Sequence, residues 1–330
     1  MWVQLLSPPE DHITSLNLSA SNSDSPGLYI TSFKGRIAHY NELSETSKPA
    51  SVVDGFYDCA LDSCLINGTA EKLVVGSLTG QIYSIDPVKR VLQQNSSFVH
   101  ESGVQCLVYN SYRKLVLSGS WDHSGWLLPE GSQGGIQLHF KEKVQAMDSI
   151  DNYAVYALST GQNVVYDLRK VDQPVKEDDS TFKYPLTTCI CMIPGCKGYT
   201  QGSMEGKVSV ETFNQDVQVP SSKYTFKCHR TVLADDVEFV GPINDIVFHD
   251  STRFFTGGSN VDRRVCMWDY LTKKRVKQYK NLPLGVSKMC YDSQSGLLVV
   301  AMSDDSFKNS VSIDDKTFSS KSSIVTIIKT

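Results

Sequence analysis

The sequence lacks any long apolar run, any large excess of one charge and any basic leader. No stretch reaches the about 18 apolar residues that a membrane-spanning helix needs. The opening MWVQLLSPPEDHI has neither the basic region nor the long apolar region of a secretory signal. The formal net charge is only −4, from 32 basic and 36 acidic residues. A global basic field for nucleic acid is therefore excluded, and any anion recognition is expected to be local.

Catalytic signatures are also missing. The sequence contains no P-loop, no G-x-G-x-x-G, no H-E-x-x-H, no G-x-S-x-G and no EF-hand loop. The cysteine-rich stretch CICMIPGC (189–196) has no C-x-x-C pair and no spaced histidine pair beside it, which argues against zinc. Most of the nine cysteines lie in apolar runs, as reduced thiols of an intracellular protein do. We therefore predict no catalytic residue, no metal and no cofactor.

A short pattern recurs along the chain: an apolar strand, a small hydroxyl residue, a tight turn and a second alternating strand. The anchors are Ser32, Ser77, Ser120, Thr160, Ser203, Ser259 and Ser303. Their separation is about 45 residues, the period of propeller blades built from four short strands. The pattern predicts an all-β fold, a single seven-bladed WD-repeat propeller over residues 1–330. The wide interval before Ser259 holds TVLADDVEFVG (231–241), interpreted as a loop insertion.

Two further features fit a closed ring of blades. The terminal segment SSIVTIIK (322–329) and the opening MWVQLL (1–6) are predicted to pair in one blade and close the ring. Trp268-Asp269 is an intact Trp-Asp pair of a WD repeat, and Tyr166-Asp167 is a degenerate one. His100 and His249 are interpreted as structural histidines at the start of a blade.

Two local features suggest binding. In GSWD (119–122), Trp121 stands where an exposed aromatic ring would lie near the rim of the central channel, and exposed tryptophans are enriched at binding hot spots. In YTFKCHR (224–230), alternation separates apolar residues from Lys227, and this strand is expected to pair with EGKVSVETF (205–213). Lys207 and Lys227 would then be neighbours. Two solvated lysines or a phosphate site would both explain them.

Several segments together resemble one family. They are PPEDHITSL (8–16), GSWD (119–122), FKYP (182–185), GSMEGKVSVE (202–211), FKCHR (226–230), INDIVFH (243–249) and WDYLTKKR (268–275). In order and over nearly the whole chain, they resemble the spindle-checkpoint WD-repeat family known as budding uninhibited by benzimidazole, third member. The ending SDDSFKNSVSIDD is similar to the budding-yeast form. A sister family, the WD-repeat mRNA-export factor of the nuclear pore, shares the pair GSMEGKVSVE and FKCHR, whereas Val210-Glu211 and Lys183-Tyr184 resemble the checkpoint branch.

The resemblance implies a role for the two lysines. In that family the matching residues hold a phosphothreonine within short Met-Glu-Leu-Thr repeats of a kinetochore scaffold protein. Lys207 replaces an arginine that is common there, which keeps the charge but loses the planar fork. Weaker discrimination for phosphate is the expected consequence.

The resemblance also implies a second ligand. Family members hold a GLEBS segment, from the checkpoint kinase and from its kinase-related partner, across the propeller face. Trp121 matches a tryptophan on that face, and Phe33 stands where a second tryptophan is usual. Thr187 replaces an arginine that pairs with acids of the segment, so Lys183 or Arg169 is a candidate substitute.

The predicted function is a non-catalytic checkpoint adaptor of the nucleus and of mitotic kinetochores, with no membrane and no direct nucleic-acid contact. It would bind GLEBS segments and phosphorylated scaffold repeats, recruiting the checkpoint to unattached chromosomes. Two alternatives remain: the mRNA-export factor of the nuclear pore and a substrate receptor of a ubiquitin ligase. Their partners separate them, because the first predicts a pore-protein segment and the second a cullin adaptor.

Overall fold

The computed structural model describes residues 2–19, 26–54, 58–67, 71–86, 91–95, 98–132, 134–182, 186–213, 222–232, 238–304 and 323–330. Regular structure within these ranges is entirely β. In the same ranges no helix is long and apolar enough to cross a membrane. Lys183, Tyr184 and most of the acidic ending SDDSFK lie outside the described residues.

Seven four-stranded antiparallel sheets form the blades of a β-propeller, which confirms the predicted fold class. The strands of blades 1 to 3 are β2 (Ile13–Ser19), β3 (Gly27–Ser32), β4 (Ile37–Tyr40), β5 (Ser51–Val53), β6 (Ala60–Ile66), β7 (Lys72–Ser77), β8 (Ile82–Asp86), β9 (Val91–Gln94), β10 (Val104–Asn110), β11 (Leu115–Ser120), β12 (Ser124–Pro129) and β13 (Ile136–His139). Those of blades 4 and 5 are β14 (Val144–Ile150), β15 (Tyr153–Leu158), β16 (Gln162–Asp167), β17 (Lys176–Asp179), β18 (Thr187–Ile193), β19 (Gly198–Ser203), β20 (Lys207–Thr212) and β21 (Lys223–Lys227).

The remaining strands form a small sheet and the last two blades. The small sheet pairs β22 (Arg230–Val232) with β23 (Glu238–Val240). Blade 6 holds β24 (Ile243–Phe248), β25 (Arg253–Gly258), β26 (Val265–Asp269) and β27 (Lys274–Tyr279). Blade 7 has the order β1 (Trp2–Gln4), β30 (Ser323–Lys329), β29 (Leu297–Ser303) and β28 (Gly285–Asp292). The predicted pairing of the two chain ends is therefore confirmed.

The chain divides into two compact units. Unit 1 spans residues 1–145, 290–303 and 320–330, and unit 2 spans 146–289 and 304–319. Each core is a set of apolar clusters between facing sheets, because a blade has two apolar faces and one sheet cannot cover both. In unit 1, one cluster joins blades 7 and 1 through Leu5, Leu28, Tyr40, Val299 and Ile327. In unit 2, one cluster joins blades 5 and 6 through Val208, Val210, Ile243, Phe254 and Tyr270.

The anchor residues close the hairpin turns on which the repeat depends. Strands β3, β7, β11, β19 and β29 end at their predicted serines. The Ser32 hydroxyl donates to the Arg36 carbonyl at 3.2 Å, and the Ser203 hydroxyl donates to the Lys207 carbonyl at 3.1 Å. The hydroxyl thus holds the strand across a tight turn. Thr160 and Ser259 fall just beyond the ends of β15 and β25.

Two interpretations of the sequence need correction. The segment 231–241 is not only a loop, because its ends belong to β22 and β23. The structural histidine that starts blade 6 is His229, whose ring nitrogens lie 2.7 Å from the Asp262 carboxylate and 2.8 Å from the Thr256 hydroxyl. His249 lies instead at the β24–β25 turn beside Asp250. The insertion separates His229 from its blade, so spacing alone pointed to the wrong histidine.

Candidate functional site

The hairpin of β20 and β21 brings the two predicted lysines face to face. In the antiparallel register Lys207 lies directly opposite Lys227. The backbone N–H of Cys228 donates to the Gly206 carbonyl at 2.8 Å, which makes the neighbouring pair the hydrogen-bonded one. The lysine pair is therefore of the non-hydrogen-bonded type, with Cα atoms only about 4.5 Å apart and side chains on one face. The predicted pairing of these strands is confirmed.

The two ammonium groups have different surroundings. Lys207 forms an ion pair with Glu205 in the turn that precedes it. Lys227 is exposed and makes no hydrogen bond or ion pair with the described residues. Nearby, Arg230 donates to the Glu238 carboxylate at 2.7 Å and to the Glu205 carbonyl at 3.0 Å, so its guanidinium is engaged in holding the turn. Lys227 is thus the cation of this group that is available to an incoming anion.

Hydroxyl groups continue the same face. Ser209 and Thr225 form the next pair on this face, two residues along from the lysines, and the Thr181 hydroxyl lies 2.8 Å from the Ser209 hydroxyl and 2.7 Å from that of Thr225. Period-two alternation from Lys207 and Lys227 gives Ser209 and Thr225, a signal that the sequence reasoning missed. Thr181 comes from the segment after β17, so no local pattern indicates it. Together these three hydroxyl groups make the surface beside the lysine pair polar.

A buried acid ends this face. Glu211 is 3 % exposed and pairs with Lys176 and, at 3.1 Å, with Lys223. It also accepts a hydrogen bond from the Tyr199 hydroxyl at 2.8 Å. Burial, together with the Glu211 charge, raises the pKa of Tyr199. These partners neutralise Glu211, so it does not oppose an anion bound beside Lys227.

The opposite face of the hairpin anchors it to blade 6. Val208 and Val210 are fully buried there, and the Phe226 ring lies 4.7 Å from the Trp268 ring, centroid to centroid. Rigid strands therefore hold the lysine pair, which limits the entropy lost when a ligand binds.

Unit 1 holds the two aromatic residues of the predicted GLEBS surface, Phe33 and Trp121, at equivalent places in blades 1 and 3. The residue after each anchor serine donates its N–H to the segment before the blade: Phe33 to His12, Leu78 to Cys59, and Trp121 to Gly103, at 2.8, 2.8 and 3.0 Å. The Phe33 and Leu78 side chains are each 39 % exposed. Leu78 was missed from the sequence, although the repeat register indicates it.

Trp121 is held in place as well as partly exposed. Its ring packs against Gly103, where an added Cβ would come within 2.8 Å of the indole Cε3. The residues on either side are fixed, since the Asp122 N–H donates to the Ser120 hydroxyl at 3.1 Å and the Asp122 carboxylate lies 3.0 Å from the His100 ring. Burial raises the pKa of Asp122, but hydrogen bonds from Ser124 and from the Glu101 N–H together lower it by more. The pKa therefore lies below its ordinary value. The indole is a preordered surface.

Thr187 stands where the family usually has an arginine, and Arg169 and Lys183 are the candidate replacements for that cation. Thr187 is buried, 5 % exposed, with its hydroxyl 3.5 Å from the Gln201 amide nitrogen. Its neighbour Leu186 is 51 % exposed. Met204, the residue after the Ser203 anchor, is 44 % exposed. Arg169 donates to Asp167 at 2.5 Å. Lys183 lies outside the described residues.

Other chemistry is not evident in the described part of the chain. No group of three or more His, Cys, Asp or Glu side chains is arranged there to hold a metal ion. All nine cysteines are free thiols. Burial raises the pKa of the Cys189, Cys191 and Cys228 thiols above the ordinary range, which disfavours the reactive thiolate.

Comparison with known proteins agrees with this architecture. The model of the family "WD domain, G-beta repeat" matches residues 92–125 and 221–269. The mitotic checkpoint protein bub3 of Dictyostelium discoideum is 30 % identical over 92 % of this chain and 88 % of its own length. The mitotic checkpoint protein BUB3.1 of Arabidopsis thaliana is 31 % identical over 91 % of this chain and 86 % of its own. The mRNA export factor rae-1 of Caenorhabditis elegans is 28 % identical over 90 % and 81 %.

Proposed function

Because the chain belongs to the bub3 family of mitotic checkpoint WD-repeat proteins, we propose that it is a non-catalytic adaptor that reads a phosphorylated kinetochore scaffold. The scaffold ligand is a Met-Glu-Leu-phosphothreonine repeat, and the second ligand is a GLEBS segment of a checkpoint kinase or its kinase-related partner. The protein then works in the nucleus and at mitotic kinetochores. The observation that carries the proposal is the facing pair Lys207 and Lys227.

The phosphate reading rests on electrostatics. Two ammonium groups on one face of a rigid hairpin repel each other, and of the two lysines only Lys207 is paired with the Glu205 carboxylate, so a bound anion is expected to stabilise the pair. Phosphothreonine carries nearly two negative charges and three strong acceptor oxygens, whereas threonine carries none of this charge. A charge-assisted hydrogen bond contributes about 1.5–3 kcal/mol. Two of them give discrimination of at least about 100-fold between the phosphorylated and the plain peptide.

The first prediction is phosphate-dependent binding at this pair. A labelled Met-Glu-Leu-phosphothreonine peptide should bind the full chain in fluorescence anisotropy, and the unphosphorylated peptide should not. Lys207→Glu with Lys227→Glu should weaken binding by at least about 100-fold. The matched control is Lys143→Glu with Lys170→Glu, which changes the net charge equally at two exposed lysines elsewhere. Equal loss in both double variants would reduce the effect to net charge.

Recognition of the GLEBS segment rests on the apolar surface of unit 1. Phe33, Leu78 and Trp121 follow equivalent anchors in three blades and present exposed or partly exposed apolar groups. Preordered aromatic anchors of this kind dominate protein interfaces. Phe33 supplies apolar contact without the indole N–H of a tryptophan, so Trp121 is the expected principal anchor.

The second prediction concerns that anchor. Trp121→Ala should weaken binding of a checkpoint-kinase GLEBS segment by about 30-fold, the loss typical of a hot spot. Isothermal titration calorimetry of full chain and segment measures it. Tyr112→Ala is the control, because Tyr112 is 65 % exposed and lies in the β10–β11 turn, at the opposite end of β11 from Trp121. An unchanged dissociation constant for Trp121→Ala would remove Trp121 from the interface.

The export role is the second candidate, supported by the similarity to rae-1. Titration of a GLEBS segment from a nuclear-pore protein beside the kinase segment distinguishes the two, because the checkpoint adaptor prefers the kinase segment. A ubiquitin-ligase receptor would instead co-purify with a cullin adaptor and bind neither segment.

A further inference from the structure

The outermost strand of blade 6 carries a dense run of cations. We call this surface the basic stripe; it consists of Lys273, Lys274, Arg275, Lys277 and Lys280. Residues 271–280 contain no acidic residue. Strand β27 is the last strand in its sheet, so its outer edge is not paired with another strand in the described structure. All five basic residues are exposed.

The cations of the basic stripe are not neutralised within the described residues. None of the five forms an ion pair with a carboxylate there, although Asp269 lies opposite Lys274 in the register. The Asp269 carboxylate instead accepts the backbone N–H groups of Leu271 and Thr272, both at 2.9 Å. The positive charge therefore remains available to an external anion.

Aromatic rings hold three of these side chains in place. The Lys273 ammonium lies 4.4 Å from the centre of the Tyr224 ring, and the Lys277 ammonium lies 4.9 Å from that of Tyr279. The Arg275 guanidinium lies 5.9 Å from the Trp268 ring. Cation–π contacts restrict the rotamers of long side chains. Binding of a ligand here therefore costs less side-chain entropy than on an ordinary lysine surface.

An apolar residue stands in the middle of the basic stripe. Met267 pairs with Lys277 and Trp268 pairs with Arg275, so Val276 is the extra residue of a β-bulge. Val276 is 51 % exposed, and Leu271, two residues before the first lysine of the basic stripe, is 64 % exposed. The surface thus combines several cations with two apolar contacts.

The outer strands of blades 1 to 5 have a different character. Those of blades 1, 2 and 3 read SVV, VLQQ and IQLH and carry no lysine or arginine. That of blade 4 reads KEDD and is acidic. That of blade 5 reads KYTFK, and its first lysine, Lys223, is paired with Glu211. Since the net charge of the chain is −4, the basic stripe is a local reversal of sign.

We propose that the basic stripe docks a short acidic segment of a partner polypeptide, with an apolar residue of that segment on Val276. The cations of the basic stripe favour a ligand with carboxylates. The exposed Val276 favours a peptide ligand, because an apolar side chain of the peptide can pack against it. Side-chain contact is favoured over strand addition, because edge lysines and a bulge both discourage pairing with another strand. Nucleic acid is disfavoured because cations cover the three rings and Tyr279 is only 7 % exposed, leaving no platform for bases.

The test uses the full chain and a labelled peptide of glutamates around a central leucine, in fluorescence anisotropy. Binding should weaken as salt rises from about 50 to about 300 mM, as expected for exposed charges. Lys274→Glu with Lys277→Glu should weaken it at least about tenfold, and the Gln versions of both should give a smaller loss. The control Lys143→Glu with Lys170→Glu should leave it unchanged. Val276→Ser should weaken it with no change of charge.

Three outcomes overturn the proposal. The first is equal loss of peptide binding in the stripe variant and the control variant. The second is a single-stranded oligothymidylate that binds as tightly as the peptide and is lost in the same variants, which identifies a phosphate-backbone site. The third is self-association that the stripe variant abolishes and the peptide does not compete with, which identifies a second copy as the occupant. The Lys207→Glu, Lys227→Glu variant should still bind the acidic peptide, so failure here is distinct from failure of the phosphothreonine site.

Discussion

At the scale of single residues, buried polar networks decide which side chains can change. His100 is 2 % exposed, and its ring nitrogens lie 2.9 Å from the Ser118 hydroxyl and 3.0 Å from the Asp122 carboxylate. Burial lowers the pKa of His100, partly offset by the Asp122 charge. Removal of the ring would take one hydrogen-bond partner from the Ser118 hydroxyl and one from the Asp122 carboxylate, and it would leave a cavity, so both the lost bonds and the lost packing destabilise the fold.

We therefore expect His100→Ala to lower the free energy of unfolding by about 2–4 kcal/mol. His139→Ala, an exposed histidine of the same blade, should change it by less than about 0.5 kcal/mol. Urea unfolding followed by tryptophan fluorescence measures both. Equal, small losses would mean that the hydrogen bonds of His100 contribute little.

At the scale of elements, the turn before β20 places the lysine pair. Gly206 has a φ of +60°, and an added Cβ would come within 2.8 Å of the Cys228 carbonyl and 2.9 Å of the Gly241 carbonyl. Gly131 also has a positive φ, +74°, but a Cβ added there would meet no atom within 4 Å. Comparing the two glycines therefore separates the cost of the left-handed backbone conformation from the cost of placing a Cβ close to the two carbonyls.

Gly206→Ala should therefore destabilise the protein by about 1–3 kcal/mol more than Gly131→Ala, which bears only the strain of the left-handed conformation. Differential unfolding in urea checks this difference. Similar values for the two variants would show that the carbonyls near Gly206 move aside at no cost.

The repeat pattern predicted most of the elements but not all contacts between them. Anchor serines are local signals, because a hydroxyl at the end of a strand closes its own turn, and five of the seven end their strands. The register of Lys207 with Lys227 was also local, since one hairpin sets it. Thr181 comes from another blade and His229 lies beyond an insertion, so no fixed spacing marks either. The Thr187 hydroxyl lies beside Gln201 of the neighbouring strand, a contact that the position of Thr187 in the sequence does not indicate.

At the scale of the whole molecule, two buried groups give opposite responses to pH. Burial, reinforced by the nearby Asp245 charge, raises the pKa of Asp148 to about 6 despite hydrogen bonds from the Met192 and Ser149 N–H groups. In the unfolded chain this carboxyl ionises near about 4, so between these values folding becomes less favourable as pH rises. His100 has a lowered pKa, so its contribution is lost as pH falls below about 6.5.

Asp148→Asn removes the pH dependence that comes from Asp148 and leaves the one that comes from His100. Between about pH 4 and pH 6 the variant should lose stability more steeply with falling pH than the unchanged chain. Urea midpoints across this range measure the two slopes, which makes the result independent of any constant cost of the substitution. Parallel profiles would show that Asp148 does not hold its proton in the folded state.

The ion pair between Glu205 and Lys207 has a consequence for how selective the proposed phosphothreonine site would be. Glu205 is a competitor tethered within two residues of the cation, at a local concentration that no free carboxylate reaches. A neutral or singly charged side chain would interact with Lys207 no more strongly than Glu205 already does, whereas a dianion would interact with it more strongly. In the proposed phosphothreonine site, Glu205 therefore sets the charge that a ligand must exceed in order to displace it from Lys207.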